Sequence, residues 1–117
     1  MLTLTSNVQI YLCTTPTDMR KSFDGLSAVV ASAMNKDVLS GHLFLFLNRR
    51  RDRIKLLWWD RDGLALFYKQ LQAGTFEIPK AGADQPCLEM DTTQLAMLLT
   101  GVSMQTVKRR KRFALAS

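Results

Sequence analysis

The sequence has few of the residues that build catalytic or metal sites. Among its 117 residues there are two cysteines, Cys13 and Cys87, and a single histidine, His42. Neither cysteine has a second cysteine or the histidine at metal-ligand spacing, and one histidine excludes a histidine-pair metal site. The sequence also lacks a glycine-rich phosphate loop and a dinucleotide-binding fingerprint. We therefore expect no catalytic site, no bound metal and no cofactor.

Long hydrophobic runs are also missing. The longest continuous apolar runs have five residues, as in Leu43–Leu47, whereas a membrane-spanning helix needs ~18 or more. The N-terminus has no basic segment followed by an apolar one, so no secretory signal is expected. These absences predict a cytoplasmic protein without membrane contact. In a reducing cytosol the two cysteines are expected to be thiols, with a disulfide as the less favoured alternative.

The remaining composition is that of one folded domain. Hydrophobic residues make up 47% of the chain and charged residues 22%, and both fractions are normal for a globular protein. A chain of this length can bury enough surface for one core. We expect a single domain over residues 1–102, followed by a basic, flexible tail over residues 103–117.

The positive charge of the chain is clustered. The formal net charge is +6, and residues 108–112 supply five positive charges. A second cluster lies between two apolar runs and is opposed only by Asp52. Clusters of this kind create a local positive potential that attracts nucleic acids. The clusters are Arg49, Arg50, Arg51, Arg53 and Lys55, and, in the tail, Lys108, Arg109, Arg110, Lys111 and Arg112.

An amphipathic helix is predicted near the N-terminus, after a first strand at residues 8–12. Apolar residues recur there at steps of three and four residues, as on one face of a helix over residues 18–35. Thr17 or Asp18 is the expected N-cap. The apolar stripe consists of Met19, Phe23, Leu26, Val30 and Ala33.

The rest of the chain predicts strands and a second, shorter helix. The predicted strands are residues 43–47, 54–59, 64–71, 75–78 and 87–90. The apolar spacing of the third of these leaves a short helix as an alternative. Asp91 is expected to cap the C-terminal helix and Gly101 to end it. The expected fold is α+β, with an antiparallel β-meander of about four to six strands packed against the N-terminal amphipathic helix and a short C-terminal helix.

The turn between the strands at residues 43–47 and 54–59 is the most informative segment. Arginines at a hairpin tip can bind phosphates bidentately while they stay solvated. The ordinary alternative is a solvated turn that keeps an apolar hairpin soluble. Three consecutive arginines, together with the basic tail, favour nucleic-acid binding. Arg20 and Lys21 are candidate additional contacts.

Two further pairs of residues carry weaker hypotheses. Trp58 and Trp59 could stack on bases, but adjacent strand residues point to opposite faces, so at least one is expected in the core. Asp60 and Asp62 could bind a divalent metal, as in a nuclease. Asp-x-Asp-Gly is also an ordinary turn sequence. A metal-dependent nuclease therefore stays the least favoured alternative.

Ordered motifs run along most of the chain, from about Val8 to Gly101. They include TDMRKSFDGL at residues 17–26, GHLF at 41–44, DRIK at 52–55 and LWWD at 57–60. With these motifs the sequence resembles the TnpB-type, or Orf2-like, accessory proteins of insertion-sequence-66-like transposons. Several motifs in the same order make a chance match improbable.

The resemblance implies a bacterial, non-catalytic protein of transposition that assists a separate transposase, to which strand cleavage is assigned. The resemblance implies the transposase of the element and a further accessory protein as partners, and the basic clusters add DNA at the transposon ends as an expected partner. The basic clusters add a hypothesis for the mechanism, in which the hairpin tip and the tail contact DNA phosphates. The alternative is a protein-interaction module that docks on the transposase and contacts DNA only incidentally.

Overall fold

Five strands form one sheet with a helix on each face. The computed structural model describes residues 7–101 apart from residues 81 and 83. Its elements are β1 Ile10–Cys13, α1 Phe23–Ser32, a 3₁₀ turn Val38–Ser40, β2 Leu43–Leu47, β3 Arg53–Asp60, β4 Gly63–Gln70, β5 Cys87–Met90 and α2 Thr92–Thr100. The order of strands across the sheet is β4-β3-β2-β1-β5. The predicted α+β class with two helices is confirmed.

The sheet is mixed, so the prediction of a purely antiparallel meander is only partly right. Strands β2, β3 and β4 do form an antiparallel meander. Strand β1, however, pairs parallel to β2, with Ile10 opposite Leu43. The chain leaves the C-terminal end of β1, crosses back through α1, and enters β2 beside the N-terminal end of β1. The two strands therefore run parallel. Strand β5 then pairs antiparallel with β1.

The core lies on both faces of the sheet. Strand β2 is central and all five of its residues are buried, which explains why its sequence is apolar throughout instead of alternating. On one face Leu26 and Val30 of α1 pack with Phe44, Phe46 and Leu57. On the other face the packing residues come from α2 and from a loop, and they are Leu95, Leu98, Phe76 and Ile78.

Helix α1 is shorter than the predicted 18–35 at both ends: it spans Phe23–Ser32, and its N-cap is Ser22 instead of Thr17 or Asp18. Leu26 and Val30 are fully buried as expected, whereas Phe23 is 43% exposed. The segment before the helix is tied to the sheet by the backbone N–H of Thr17, which donates to the carbonyl of Leu47 at 2.8 Å. That bond holds the start of this segment alongside the end of β2, and the helix begins after it.

Two strand predictions in the middle of the chain have opposite outcomes. Strand β4 spans Gly63–Gln70, one residue earlier at each end than the predicted 64–71, and the helical alternative is wrong. Residues 75–78 do not form a strand. Phe76 and Ile78 are nevertheless buried against the sheet, and the N–H of Phe76 donates to the carbonyl of Arg51 at 2.7 Å. This loop covers a face of the sheet, so it is apolar without pairing as a strand.

Helix α2 begins and ends where the sequence predicts. Asp91 accepts a hydrogen bond from the N–H of Gln94, and the Gln94 side chain bonds back to the N–H of Asp91, which completes a capping box. Gly101 ends the helix with a φ of 84°, a left-handed conformation that favours glycine. Among the described residues no helix is long and apolar enough to cross a membrane.

The two cysteines come together across the sheet. Cys13 in β1 lies directly opposite Cys87 in β5. Cys13 is buried, Cys87 is half-buried, and both are free thiols. Burial raises the pKa of the Cys87 thiol above its usual value.

Candidate nucleic-acid interface

The tip of the β2–β3 hairpin is shaped by Asn48. Its side-chain Oδ1 accepts hydrogen bonds from the backbone N–H groups of Asp52 and Arg53, each at 3.0 Å. Its Nδ2 donates to the carboxylate of Asp52 at 2.7 Å. Arg51 closes the turn with a φ of 59°. The tip therefore has a defined geometry, from which the side chains of Arg49 and Arg50 extend into solvent.

An open groove lies between this tip and the segment that precedes α1. It has a volume of about 620 Å³ and is lined by residues 16–20, residues 48–50 and Arg53. Four arginines line it, so we call it the arginine groove, and Asp18 is its single acidic residue. The groove brings Arg20 beside arginines that are about thirty residues away in the sequence. None of its lining residues is aromatic.

Lys55 holds the two sides of the groove together. Its Nζ donates to the backbone carbonyls of Met19 at 2.8 Å and Lys21 at 2.7 Å. The same ammonium group lies 4.6 Å from the centre of the Tyr68 ring. Lys55 is only 6% exposed. Its charge is thus engaged inside the protein, and we remove Lys55 from the predicted set of phosphate contacts.

Arg20 is paired within the groove. It donates to both carboxylate oxygens of Asp18, with an Nη2···Oδ2 distance of 2.6 Å. These hydrogen bonds from Arg20 lower the pKa of Asp18 to about 2, and the same pairing raises the pKa of Arg20. The guanidinium side chain remains 92% exposed. Arg20 is therefore available to a ligand, but its charge is partly balanced by Asp18.

The arginines of the hairpin tip are less strongly paired with acidic residues than Arg20 is. The Nε of Arg50 lies 3.9 Å from Asp52, which is too long for a hydrogen bond. Asp52 is instead engaged by Asn48, and that hydrogen bond lowers its pKa. Among the described residues Arg49 has no acidic partner within ion-pair distance. The groove thus presents a net positive charge to solvent.

The remaining predicted site residues lie elsewhere. Arg51 is exposed and lines a second groove, of about 540 Å³, together with Glu77 and Lys80. Lys21 is exposed just before α1 but does not line the arginine groove. The tail residues Lys108, Arg109, Arg110, Lys111 and Arg112 lie outside the described residues. The arginine groove thus brings together Arg20, Arg49, Arg50 and Arg53, and Arg50 also lines the second groove beside Arg51.

The residues of the base-stacking and metal-binding hypotheses, and His42, have ordinary structural roles. Trp58 and Trp59 are both half-buried on opposite faces of β3, and Trp58 packs against the core under α2. Nδ1 of His42 accepts a hydrogen bond from the N–H of Gln9 at 3.0 Å. Asp60 is the last residue of β3, and Asp62 lies in the two-residue turn to β4. Within the described residues no three His, Cys, Asp or Glu side chains are grouped so that they could hold a metal ion.

Two components of the groove were missed by sequence reasoning. Asn48 organises the tip, and its position directly after a strand and before three arginines was the available signal. The contribution of Pro16 and Thr17 had no local signal, because their contact with the tip depends on how β1 and β2 pair. The groove is therefore a product of the parallel β1–β2 crossover.

Comparison with known proteins adds to this geometry. A family model described as "IS66 Orf2 like protein" matches residues 8–109. The chain belongs to this family. It is therefore a transposition-associated accessory protein of an IS66-type element. The predicted family is confirmed.

Two curated relatives come from Sinorhizobium fredii (strain NBRC 101917 / NGR234). "Uncharacterized protein y4jC" is 35% identical over 105 residues, covering 88% of this chain and 86% of the relative. "Uncharacterized protein y4hO" is 34% identical over 102 residues, covering 87% of each chain. No solved structure matches this IS66 Orf2-like protein.

Proposed function

We propose that this IS66 Orf2-like protein binds the phosphate backbone of duplex DNA in its arginine groove and assists a separate transposase at the transposon ends. The observation that carries the proposal is the convergence of Arg20 with Arg49, Arg50 and Arg53 in one open groove. The basic tail, residues 108–112, adds further phosphate contacts. Assembly with the transposase takes place in the cytoplasm.

The chemistry of the groove fits phosphate more closely than it fits bases. Guanidinium groups bind phosphate oxygens bidentately, and phosphate contacts position a protein on DNA without reading sequence. Stacking on bases uses aromatic side chains, and the groove lining has none. The binding is therefore largely independent of sequence, and specificity for transposon ends comes from the transposase.

The test is the salt dependence of binding to a transposon-end duplex and to an unrelated duplex of equal length. About five neutralised phosphates give a slope of log K against log salt of about −4 to −5. The Arg49→Ala/Arg50→Ala variant flattens that slope by about 2 on both duplexes. Fluorescence anisotropy at several salt concentrations measures it.

Arg61 provides a matched control. It is an exposed arginine at the β3–β4 turn, at the opposite end of β3 from the groove. The Arg61→Ala variant is expected to keep the wild-type slope within about 0.5. Equal slopes for wild type and the double variant would show that the tip arginines are only a solvated turn.

The proposal assigns no strand cleavage to this chain. The full-length protein with magnesium or manganese is expected to leave a labelled transposon-end duplex intact. Nicking that is abolished by Asp60→Asn would instead establish the nuclease alternative.

The second candidate is a module that docks on the transposase. Phe67 and Tyr68 on β4 favour it, because these large side chains are 44% and 47% exposed beside the hairpin. The two candidates differ in a transposition assay in cells. If DNA binding is the function, Arg49→Ala/Arg50→Ala reduces transposition in proportion to its loss of DNA affinity, whereas a docking module tolerates this change.

A further inference from the structure

The outer edge of β4 is unpaired within the part of the chain that the structure describes. β4 is the last strand of the sheet and pairs only with β3. It has eight residues, and Lys69 is its single charged residue. Edge strands of natural proteins are usually short, charged or interrupted by proline, because an exposed edge pairs readily with another strand. A long and nearly uncharged edge indicates that β4 has a partner.

The hairpin turn fixes which backbone groups of β4 face outward. Asp60 and Gly63 pair across a two-residue turn, and the closing pair of such a hairpin exchanges backbone hydrogen bonds. From Gly63 onward, alternate residues therefore bond to β3. The residues between them direct their N–H and C=O groups away from the sheet, and these are Leu64, Leu66, Tyr68 and Gln70.

We propose that β4 pairs antiparallel with β4 of a second copy of this chain, so that two five-stranded sheets join into one continuous sheet around a two-fold axis. Outward-facing residues must pair with outward-facing residues. One register that meets this condition pairs residues 63–69 of the two copies and places Leu66 opposite itself on the axis. Leu64 then lies opposite Tyr68. Such an interface is isologous, as in most homodimers.

This register covers the exposed aromatic side chains of β4. Phe67 and Tyr68 are 44% and 47% exposed, and as neighbours in a strand they lie on opposite faces. In the joined sheet Phe67 is flanked by Ala65 of the second copy, and Tyr68 by Leu64. Each aromatic ring thereby gains an apolar neighbour across the new strand pair.

Complementary charges near the two ends of the proposed pairing favour a second copy as the occupant. In the proposed register Lys69 of one copy lies opposite Gly63 of the other, and Gly63 is already paired with Asp60 of β3. Residues that pair across neighbouring strands share a face of the sheet, so Lys69 and Asp60 lie on the same face. Gly63, which lies between these two residues, has no side chain to separate them. Lys69 and Asp60 would then be about 10 Å apart at their Cα positions. Lys69 would exchange its exposed 3.2 Å bond to the carbonyl of Leu99 for Asp60 of the second copy, and the two-fold axis gives two such ion pairs.

The test is the mass of the full chain in solution. Sedimentation equilibrium from about 1 to 100 µM is expected to give twice the chain mass of 13.3 kDa. Lys69→Glu and Asp60→Lys each place like charges across the interface and weaken association by about tenfold or more. The double variant Lys69→Glu/Asp60→Lys restores both ion pairs and brings back the dimer.

A matched control lies at the other edge of the sheet. Glu89 is exposed on β5, and Glu89→Lys changes the charge by the same amount as Asp60→Lys. It is expected to leave the dimer unchanged, and thermal unfolding shows that each variant is folded. A wild-type monomer throughout the concentration range overturns the proposal. A dimer that both single variants leave intact also overturns it, as does a double variant that fails to restore association. Binding of the transposase alone to the β4 edge, without a dimer, overturns it as well.

Hydrogen exchange tests the same pairing without a substitution. The amides of Leu64, Leu66 and Tyr68 face the second copy in the proposed dimer. They are expected to exchange slowly at high protein concentration and quickly on dilution, because only the dimer supplies their acceptors. Equal exchange at both concentrations overturns the pairing.

Discussion

Lys55 reaches from strand β3 to the backbone carbonyl of Met19, with an Nζ···O distance of 2.8 Å. A second bond, to the carbonyl of Lys21 at 2.7 Å, completes the attachment. A buried ammonium group therefore fixes the segment that carries Arg20. What looks in the sequence like one more basic residue of the hairpin is the residue that positions one wall of the arginine groove.

Replacing this lysine should destabilise the protein. Lys55→Met keeps most of the side-chain volume but leaves two carbonyls without their charged donor, and bonds to charged groups contribute about 1.5–3 kcal/mol. We expect a loss of about 2–3 kcal/mol in the free energy of unfolding, measured by urea denaturation. Lys80→Met, at an exposed lysine outside the helices and strands, is the control and should cost less than about 0.5 kcal/mol. Similar losses for both variants would contradict the role of Lys55.

Removing the carboxylate of Asp18 should strengthen DNA binding. Asp18→Asn frees the charge of Arg20, so that one more phosphate is neutralised and the salt slope becomes steeper by about 1. At moderate salt we expect about a two- to fivefold gain in affinity, because exposed ion pairs are weak. Asp24→Asn removes an exposed acid of α1 that does not line the groove. If both variants gain equally, the effect is one of net charge only.

The titration of Asp18 should report its pairing with Arg20. Because its pKa is lowered to about 2 from 3.8, the stabilisation from this pair is present above the unfolded-state value. It is lost as the pH falls through about 2. In Arg20→Ala the midpoint should rise towards the ordinary value, which carboxyl chemical shifts from NMR can follow. An unchanged midpoint would show that the pair is not formed in solution.

Arg51 should contribute less to DNA binding than its two neighbours. It lines the second groove beside Glu77 and Lys80 and lies outside the arginine groove, whereas Arg50 lines both grooves. We expect Arg51→Ala to flatten the salt slope by less than about half a unit, against about 0.9 for Arg50→Ala. Both are single removals of an arginine from the same turn, so anisotropy titrations compare them directly. Equal effects would mean that DNA spans both grooves.

Cys87 should react slowly with alkylating reagents near neutral pH. Burial raises the pKa of its thiol, so the reactive thiolate is scarcer at pH 7 than in an exposed cysteine. The rate should keep rising beyond the pH at which a free peptide thiol has levelled off. Mass spectrometry of iodoacetamide-treated protein measures the rate of alkylation. The Cys87→Ser variant shows how much of that rate comes from Cys13. A rate equal to that of a peptide thiol at pH 7 would contradict this expectation.

The sequence predicted those elements whose signals are local. The hairpin around residues 48–52 and the helix between Asp91 and Gly101 follow from turn and capping chemistry within a few residues. The motifs from residues 17–26 onward also sufficed to recognise the family, since family motifs are themselves local patterns. Where the pattern was ambiguous, as at the loop with Phe76 and Ile78, an apolar run could indicate either a strand or a buried loop.

Only the tertiary structure decided which basic residues share a surface. Arg20 and Arg50 meet because α1 crosses over and sets β1 parallel to β2, and no local pattern encodes that pairing. Lys55 and Arg53 have the same charge and are two residues apart in one strand, yet one is engaged inside the protein and the other lines the groove. Sequence therefore determined the amount and rough position of positive charge. The packing of distant segments determined where that charge is free to meet a phosphate, because burial and hydrogen bonding depend on neighbours that are remote in the chain.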